Sequence, residues 1–575
     1  MFLPCTKKEM EKRGWDRCDI ILVTGDAYID SPFIGTAVIG RVLEKAGYKV
    51  GIIPQPDINS DKDISKLGEP VLFWGVTGGS VDSMVANFTA SGKRRKHDDY
   101  TPGGLNVKRP NRAVIAYTNL IKRHFKNTKP IVLGGVEASL RRIAHYDAWS
   151  DSIRRSILFD AKADYLIYGM GERSLVELAE SLTKGKHGHS VRGMCFISKE
   201  PVKEYIELPP YDGVVKSHDK FIEMFRKFYN NNDPVSGRGL YQKQDTRYLI
   251  HNPPALYLTQ AELDKVYSLP FELDAHPLHR KEGEIRALNT IRFSITSHRG
   301  CYGECNFCSI AVHQGRRVRW RSEDSIVNEA KRFVSHPEFK GIISDIGGPT
   351  ANMYGFECSV KEKSGPCTDK RCLYPDVCDA LVPNHKGQMN ILKRVSQIKG
   401  VKKVFVASGI RHDLILEDRK YGDSYLKQIV ENHTSGQMKL APEHTEHEVL
   451  ALMGKPKIDL LLKFREKFFR YTKNAGKKQF LTYYFIAAHP GSTIKHMRRM
   501  KEFINKNLKI VPEQVQIFTP LPLTWSSVMY ATGKNPFTME KLFVEKNRYT
   551  RELQKKIITE NYPNKPAKSK RYRFK

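Results

Sequence analysis

Short apolar runs that end in glycine and are followed by helical patterns recur through the first 185 residues. Four of them are DIILVTGD (19–26), VLFWGVTGG (71–79), PIVLGGVEAS (130–139) and DYLIYGMGE (164–172). Each run has the length of a buried strand, and the alternation with helices predicts a doubly wound parallel sheet whose ligands meet the carboxyl ends of the strands. No GxGxxG fingerprint is present, which argues against a dinucleotide site. We therefore predict a Rossmann-like domain over residues 1–185.

A second alternation of strands and helices occupies residues 286–535. Its candidate strands are IRFSITS (291–297), GIISDIG (341–347), KVFVASG (403–409), QMKLAPE (437–443), FLTYYFIAA (480–488) and EQVQIFTP (513–520). Six such units predict an α/β domain of the partial (β/α)6 barrel type, with its chemistry on the loops after the strands. Proline and asparagine are frequent in residues 186–285, so we predict an irregular connector there. Residues 536–575 are predicted to form a basic C-terminal tail.

The chain of 575 residues carries a formal net charge of +32. A surplus of this size favours a polyanionic partner, RNA above all, although lysine scattered over solvated surfaces would give the same sum. The basic runs lie at residues 93–96, 316–321 and 565–575. No apolar stretch is long enough to span a membrane, and the charged N-terminus does not resemble a secretory signal. We therefore expect a cytoplasmic protein with reduced thiols.

Three cysteines, Cys301, Cys305 and Cys308, follow the first strand of the predicted barrel with C-x3-C-x2-C spacing. Zinc and ordinary cubane clusters take four ligands, so three thiolates would leave one iron of a cluster open. With Phe307 before the last cysteine, the pattern resembles the signature of radical S-adenosylmethionine (SAM) enzymes. The alternative is a zinc knuckle in which His313 is the fourth ligand.

Longer stretches resemble one family of radical SAM proteins, the YgiQ family. They are GDAYIDSPFIGTAVIGRVLEKAGYKVGIIPQPD, RGCYGECNFCSIAVHQGRR, DIGGPTANMYGFEC, KRCLYPDVC, LAPEHTEHEVLALMGKP and AAHPGST, and the similarity runs from residue 2 to about 536. The resemblance implies a [4Fe–4S] cluster on Cys301, Cys305 and Cys308, whose open iron binds SAM. It also implies a reducing electron donor and cleavage of SAM to a 5′-deoxyadenosyl radical.

The same resemblance implies further contacts to SAM. Gly347 and Gly348 fall where the superfamily's GGE motif meets the methionine amino group, but Pro349 replaces the glutamate. A contact to the methionine carboxylate is implied for Ser408 and Arg411, which end the third strand. Contacts to adenosine are implied for residues 489–493, which end the fifth.

The first domain resembles the cobalamin-binding modules attached to many radical SAM enzymes. Those modules carry a D-x-H-x-x-G pattern, whereas residues 30–35 here read DSPFIG and offer no histidine. The domain would then bind cobalamin without that ligand, or bind nothing of the kind.

A second group of cysteines follows the second barrel strand: Cys358, Cys367, Cys372 and Cys378. Four thiols within 21 residues predict a second metal site, either zinc or an auxiliary iron–sulfur cluster. The spacing lacks a C-x2-C knuckle, so free thiols are the alternative.

The stretch GRRVRWRSEDS has two interpretations. It resembles the arginine-rich loop of tRNA methylthiotransferases, in which Arg316, Arg317, Arg319 and Arg321 would hold phosphates while Trp320 stacks on a base. Alternatively, the arginines pack on acidic neighbours such as Glu323 and Asp324.

Taken together, these features predict a radical SAM enzyme that modifies RNA. Two alternatives remain open from the sequence: a radical SAM enzyme that acts on a peptide or small metabolite, and a non-catalytic RNA-binding protein with a structural metal.

Overall fold

A computed structural model describes residues 1–560 of the protein. The strands of its first half are β1 (Ile20–Thr24), β2 (Ile29–Asp30), β3 (Val50–Pro54), β4 (Phe73–Thr77), β5 (Ile131–Gly134), β6 (His145–Asp147), β7 (Ser152–Arg154), β8 (Tyr165–Ile167), β9 (Met194–Ser198), β10 (Ile206–Leu208), β11 (Leu240–Gln244) and β12 (Arg247–His251). The helices are α1 (Lys7–Glu11), α2 (Gly35–Lys45), α3 (Ser83–Asn87), α4 (Ala113–His124), α5 (Gly135–Ser139), α6 (Ile157–Ala161), α7 (Glu172–Thr183), α8 (Tyr211–Lys216) and α9 (His218–Asn230).

Nine of these strands form one sheet, in the order β10-β11-β12-β9-β8-β5-β4-β1-β3. Strands β3, β1, β4, β5 and β8 run parallel to one another, whereas β9 is antiparallel to β8, β12 to β9 and β11 to β12. Alternate residues of β1 pack on opposite faces: Ile21 faces a core that includes α4, and Leu22 faces one that includes α2 and α7. Because helices cover both faces, the central strands are apolar throughout, as the sequence indicated.

The first sheet extends well beyond residue 185. Strands β9 to β12 and helices α8 and α9 lie within residues 186–285, the segment expected to be an irregular connector. Strands β11 and β12 form an antiparallel hairpin in which Leu240 pairs with His251. Their sequence, LYQKQDTRYLIH, places polar or charged residues among its apolar ones, so it lacks the continuous apolar run that marked the earlier strands.

The second half contains the shorter strands β13 (Asp274–Ala275), β14 (Ser294–Thr296), β15 (His298–Arg299), β16 (Arg319–Trp320), β17 (Ile342–Ile343), β18 (Asp345–Gly347), β19 (Lys403–Val404), β20 (Gln437–Glu443), β21 (Phe480–Ala487) and β22 (Gln514–Ile517). Its helices are α10 (Gln260–Tyr267), α11 (Arg286–Ile291), α12 (Ile310–His313), α13 (Glu323–Val334), α14 (Ser359–Ser364), α15 (Lys386–Ser396), α16 (His412–Glu417), α17 (Gly422–Gln428), α18 (His447–Met453), α19 (Asp459–Asn474), α20 (Ile494–Phe503), α21 (Trp525–Thr532) and α22 (Arg548–Thr559).

Successive strands of this half pair in parallel, as a partial six-stranded barrel requires. Strand β14 pairs with β18, β17 pairs with β19, and β20, β21 and β22 follow one another. A parallel bridge between Ile410 and Leu440 joins the third strand position to the fourth. The predicted fold class, a Rossmann-like domain followed by a partial barrel, is confirmed.

The region after residue 535 is more than a tail. Helix α22 packs against α20, β21 and β22, with Ile558 buried in the barrel core. The basic run at residues 565–575 lies outside the described residues.

Within residues 1–560, no helix combines the length and the apolar character that crossing a membrane requires.

Candidate functional site

The loop that carries Cys301, Cys305 and Cys308 begins directly after β15. A Cβ atom at Gly300, whose φ is +84°, would overlap the carbonyl oxygen of Arg317, so only glycine fits there. The Gly303 N–H donates to Cys301 Sγ at 3.3 Å. A Cβ at Gly303 would lie 3.2 Å from Cys301 Sγ and 3.5 Å from Cys305 Sγ. Gly303 therefore keeps the space beside the thiols of Cys301 and Cys305 free of side chain.

Burial governs the chemistry of these thiols. It raises the pKa of Cys301 above its usual range and that of Cys308 to about 12. A metal that bound Cys301 and Cys308 would have to displace their protons, so its binding would be coupled to proton release.

The donor set fits a cluster better than a single ion. Among residues 1–560, no group of three or more histidine, cysteine or acidic side chains lies close enough to hold one metal ion. In the described structure His313 therefore does not converge with the three cysteines on a single zinc ion. In a cubane each thiolate binds a different iron, so the thiols need not converge on one atom.

A large cleft lies between the two domains, enclosing about 1850 Å³, part of it open to solvent. The first domain lines it with glycine-rich carboxyl ends of β4, β5 and β8, which include Thr77, Gly79, Gly134, Gly135 and Gly169. The barrel contributes Thr296, His298, Gly347, Gly348, Asp345 and Ser408. Ser309 and Ile310, directly after Cys308, also line the cleft, so the cysteine loop borders it.

Gly347 and Gly348, the expected neighbours of the methionine amino group, both lie in this cleft. The Gly347 carbonyl accepts hydrogen bonds from the Ser297 N–H (2.7 Å) and hydroxyl (3.0 Å). A Cβ at Gly348 would lie 2.6 Å from His298 Nε2, so a larger residue would force β18 away from β15. The glycines are therefore needed for close strand packing as well as for open space.

Two carboxylates for which the sequence predicted no role lie on barrel strands: Asp345 begins the short strand β18, and Glu443 ends β20. Asp345 lines the cleft two residues before Gly347 and accepts hydrogen bonds from the backbone and hydroxyl of Ser408. Burial raises the pKa of Asp345. Glu443 ends β20 with φ +69°, and burial raises its pKa to about 7. The only sequence signal was their position at the carboxyl ends of predicted strands.

Arg411 lies beside the cysteine loop and is not among the residues that line the cleft. Its Nη1 is 4.0 Å from Cys305 Sγ, and its Nε donates to Asp413 at 2.8 Å. The adjacent carboxylate raises the pKa of Arg411, although burial opposes this. Arg411 therefore places a permanent positive charge next to the thiols.

Residues 489–493, where adenosine contacts were expected, are occupied by structural hydrogen bonds. His489 donates from Nδ1 to the Pro490 carbonyl (2.8 Å) and contacts the Ser526 hydroxyl through Nε2 (2.7 Å). Thr493 caps α20. The His489 ring lies edge-on to Phe307, 6.4 Å between centroids. This stretch thus packs against Phe307 of the cysteine loop.

Residues 2–294 match the Radical SAM N-terminal family, and residues 295–504 match the Radical SAM superfamily. A UPF0313 protein of Fusobacterium nucleatum is 53% identical over 565 residues, which cover 98% of this chain and all of the relative. The chain belongs to the radical SAM superfamily, among the UPF0313 proteins. A UPF0313 protein of Thermotoga neapolitana is 50% identical over 97% of this chain and 98% of its own length.

Among solved structures, the cobalamin-dependent SAM radical enzyme OxsB with aqua-cobalamin bound is similar in fold. The TM-score is 0.50 at 12% sequence identity, covering 90% of this chain and 56% of OxsB. Membership of the superfamily identifies this protein as a radical SAM enzyme and implies a [4Fe–4S] cluster and SAM.

In this radical SAM enzyme, most of the arginine-rich loop after the cysteines is internal. Arg316, Arg317 and Arg321 are buried and lie over the rings of Tyr229, Tyr257 and Tyr267, respectively. Their acidic neighbours are Glu304, Glu362 and Glu329. Of the two interpretations of this loop, packing on acidic side chains is therefore confirmed for these three arginines.

The acidic partners differ from those expected, because Glu323 and Asp324 pair with Arg394 instead. The side chain of Arg319 is partly exposed, and Trp320 packs against two hydrophobic cores. A phosphate would have to displace internal ion pairs to reach the buried arginines.

The second cysteine group does not converge on a single-ion site in the described structure. Cys358 and Cys372 are buried in a small core with Tyr302 and Phe356. Burial raises the pKa of Cys372 to about 11. No group of three or more histidine, cysteine or acidic side chains in residues 1–560 could hold one metal ion, so the structure gives no support to a single zinc ion here.

The stretch DSPFIG of the first domain is partly structural. Asp30 is fully buried and pairs with Arg41, and its Oδ2 accepts from the Glu272 N–H at 3.1 Å. Pro32, Phe33 and Gly35 line the cleft. Among the described residues, the first domain contributes no histidine to this lining, so it offers cobalamin no histidine ligand there.

Proposed function

We propose that this enzyme cleaves SAM reductively at a [4Fe–4S] cluster held by Cys301, Cys305 and Cys308, and modifies RNA in the cleft between its domains. The observation that carries the proposal is the position of the cysteine loop at the border of a cleft lined by both domains. A cluster bound there supplies the electron that breaks the sulfonium bond of SAM.

The chain's own residues prepare the site for this chemistry. Arg411 offsets the negative charge that three thiolates bring into a buried environment. The first domain covers the barrel mouth with the glycine-rich edge of its sheet, which excludes water from part of the cleft and leaves space for a second reactant.

The proposed radical chemistry is tested by anaerobic reconstitution of the wild type, Cys305→Ala and Cys378→Ala. We expect one SAM-responsive [4Fe–4S] cluster per chain in the wild type and in Cys378→Ala, detected by iron analysis and electron paramagnetic resonance. Cys305→Ala should lose it. Reduced wild-type protein should release 5′-deoxyadenosine from SAM slowly without a substrate. Stoichiometric zinc without iron in the wild type would overturn the proposal.

RNA as the substrate class is supported by the net charge of +32, which favours association with phosphates. Comparison of modified nucleosides in total RNA from wild-type and deletion strains tests it. A nucleoside that is missing from the deletion strain and returns with the wild-type gene, but not with Cys305→Ala, is the expected result. Unchanged nucleosides would direct the search to a peptide or small metabolite.

A further inference from the structure

The loop that follows β4 is interrupted by the short helix α3 and then carries four consecutive basic side chains at the protein surface: Lys93, Arg94, Arg95 and Lys96. Backbone hydrogen bonds hold this turn in place, from Thr89 N–H to the Lys93 carbonyl (2.8 Å) and from Arg95 N–H to the Asn87 carbonyl (2.7 Å). Within residues 1–560, none of the four basic side chains forms an ion pair. Arg94 and Arg95 donate only to backbone carbonyls. Four charges are thus presented on an ordered backbone without neutralisation.

This loop starts at the cleft, because Gly79 and Ser80, which follow β4, line the cleft. Further along, buried Arg109 fixes the loop: its Nη2 donates to Asp26 (2.8 Å), its Nε to Asp98 (3.0 Å) and its Nη1 to the Gly78 carbonyl (2.6 Å). Asp98 follows Lys96 by two residues. The basic turn is therefore connected through a buried ion network to the sheet edge that forms the cleft.

The barrel domain contributes to the same surface. Gly92 has φ +73°, and a Cβ there would collide with Nη2 of Arg548, the first residue of α22. Arg548 is exposed and forms no ion pair within the described residues, and the neighbouring Tyr549 side chain is 76% exposed. The basic patch, defined as Lys93, Arg94, Arg95, Lys96, Arg548 and Tyr549, thus spans both domains.

We propose that the basic patch binds the phosphodiester backbone of the RNA whose target nucleotide enters the cleft. This inference rests on the proposed function and names the surface that holds its substrate. Arginine matches phosphate oxygens with two parallel donors, and an exposed tyrosine can stack on an unpaired base. The arginines of the loop at residues 316–321 are largely used in internal packing, whereas those of the patch are free to meet an external anion.

The test removes four charges from the patch and, in a matched control, four from α19 and the turn after it. The patch variant carries Lys93→Gln, Arg94→Gln, Arg95→Gln and Lys96→Gln. The control carries Lys463→Gln, Arg470→Gln, Lys473→Gln and Lys478→Gln, all at exposed positions without ion pairs among the described residues. Binding of a mixed-sequence 20-nucleotide RNA is measured over a salt series.

We expect the patch variant to bind this RNA at least tenfold more weakly near 0.15 M salt. The slope of log affinity against log salt should fall by about 3, since each phosphate contact on a single strand contributes ~0.7. The control should change affinity less than threefold. Tyr549→Ala should weaken binding of the RNA more than that of heparin, because heparin has no base to stack.

Equal losses in the patch variant and the control would overturn the proposal in favour of generic surface charge. Unchanged RNA binding together with lost binding to phosphatidylglycerol vesicles would overturn it in favour of a membrane surface. Release of 5′-deoxyadenosine without substrate should persist in both variants, because no patch residue belongs to the cysteine site. If the wild type also fails to release 5′-deoxyadenosine, the result contradicts the proposed radical chemistry but leaves the proposed role of the basic patch to the RNA-binding measurements.

Discussion

Nη1 of Arg411 lies 4.0 Å from Sγ of Cys305, while Nε of the same guanidinium donates to Asp413 at 2.8 Å. The contact joins the end of the third barrel strand to the cysteine loop that follows the first. A fixed positive charge at this distance favours added negative charge on a metal cluster that the cysteine thiolates would bind.

Arg411→Met should lower the reduction potential of the reconstituted cluster, because an added electron would lose a nearby positive charge. The single variant also leaves Asp413 buried and unpaired, which should cost about 3–5 kcal/mol of stability. Arg411→Met/Asp413→Asn removes both charges and should recover most of that stability while keeping the lowered potential. Potentiometry followed by electron paramagnetic resonance, together with urea unfolding, measures both. A wild-type potential in the double variant would contradict the assignment.

Asp345→Asn should weaken SAM binding about tenfold or more. Asp345 is the only carboxylate that the barrel contributes to the described lining of the cleft, where Pro349 stands in place of the glutamate of the GGE motif. A hydrogen bond to a charged group is worth about 1.5–3 kcal/mol, which sets this magnitude. Calorimetric titration of SAM into the reconstituted protein measures the effect. Equal affinities of Asp345→Asn and the wild type for SAM would exclude an Asp345 contact.

Acid should destabilise the protein partly through His489. Burial lowers the pKa of His489 from its usual 6.5 to about 3. Between these values the unfolded chain binds a proton that the folded protein does not, so the stability is present above pH 6.5 and is lost as the pH falls towards 3. From pH 7 to 5 this single group should account for about 2 kcal/mol.

The measurement is urea unfolding of His489→Gln between pH 7 and 5, with the exposed His218→Gln as the control. His489→Gln should lose stability with falling pH less steeply than the wild type, by about 1.4 kcal/mol per pH unit below 6.5. His218→Gln should keep the wild-type slope. Identical slopes in all three proteins would show that His489 is not held neutral.

Removal of residues 565–575, which lie outside the described structure, should reduce the salt dependence of RNA binding without abolishing binding. The run KPAKSKRYRFK is rich in basic residues and has no acidic one, so its contacts with RNA should not depend on nucleotide sequence. Filter binding over a salt series should show a shallower slope for the truncated protein and the same preference among different RNAs. A change in preference would contradict a purely electrostatic role for this segment.

The sequence by itself determined the elements whose signals are local. Three thiols at C-x3-C-x2-C spacing after an apolar strand predict radical SAM chemistry, because three thiolates leave one iron of a four-iron cluster without a protein ligand. The six strands of the barrel follow one another in space as they do in the chain, so their order follows from the alternation of patterns. Gly347 and Gly348 fell in the cleft for the same reason, since they end one of these strands.

Only the tertiary structure decided which side chains are available to a ligand. Arg316 and Lys93 both belong to basic runs, but one is buried over Tyr229 beside Glu304 and the other is exposed without an ion pair in the described residues. Their partners come from distant parts of the chain, and no local pattern records them. The same holds for Asp345, whose significance depends on facing the first domain across the cleft. Burial and the identity of neighbours are properties of the fold, and they separate a structural charge from one that can meet a substrate.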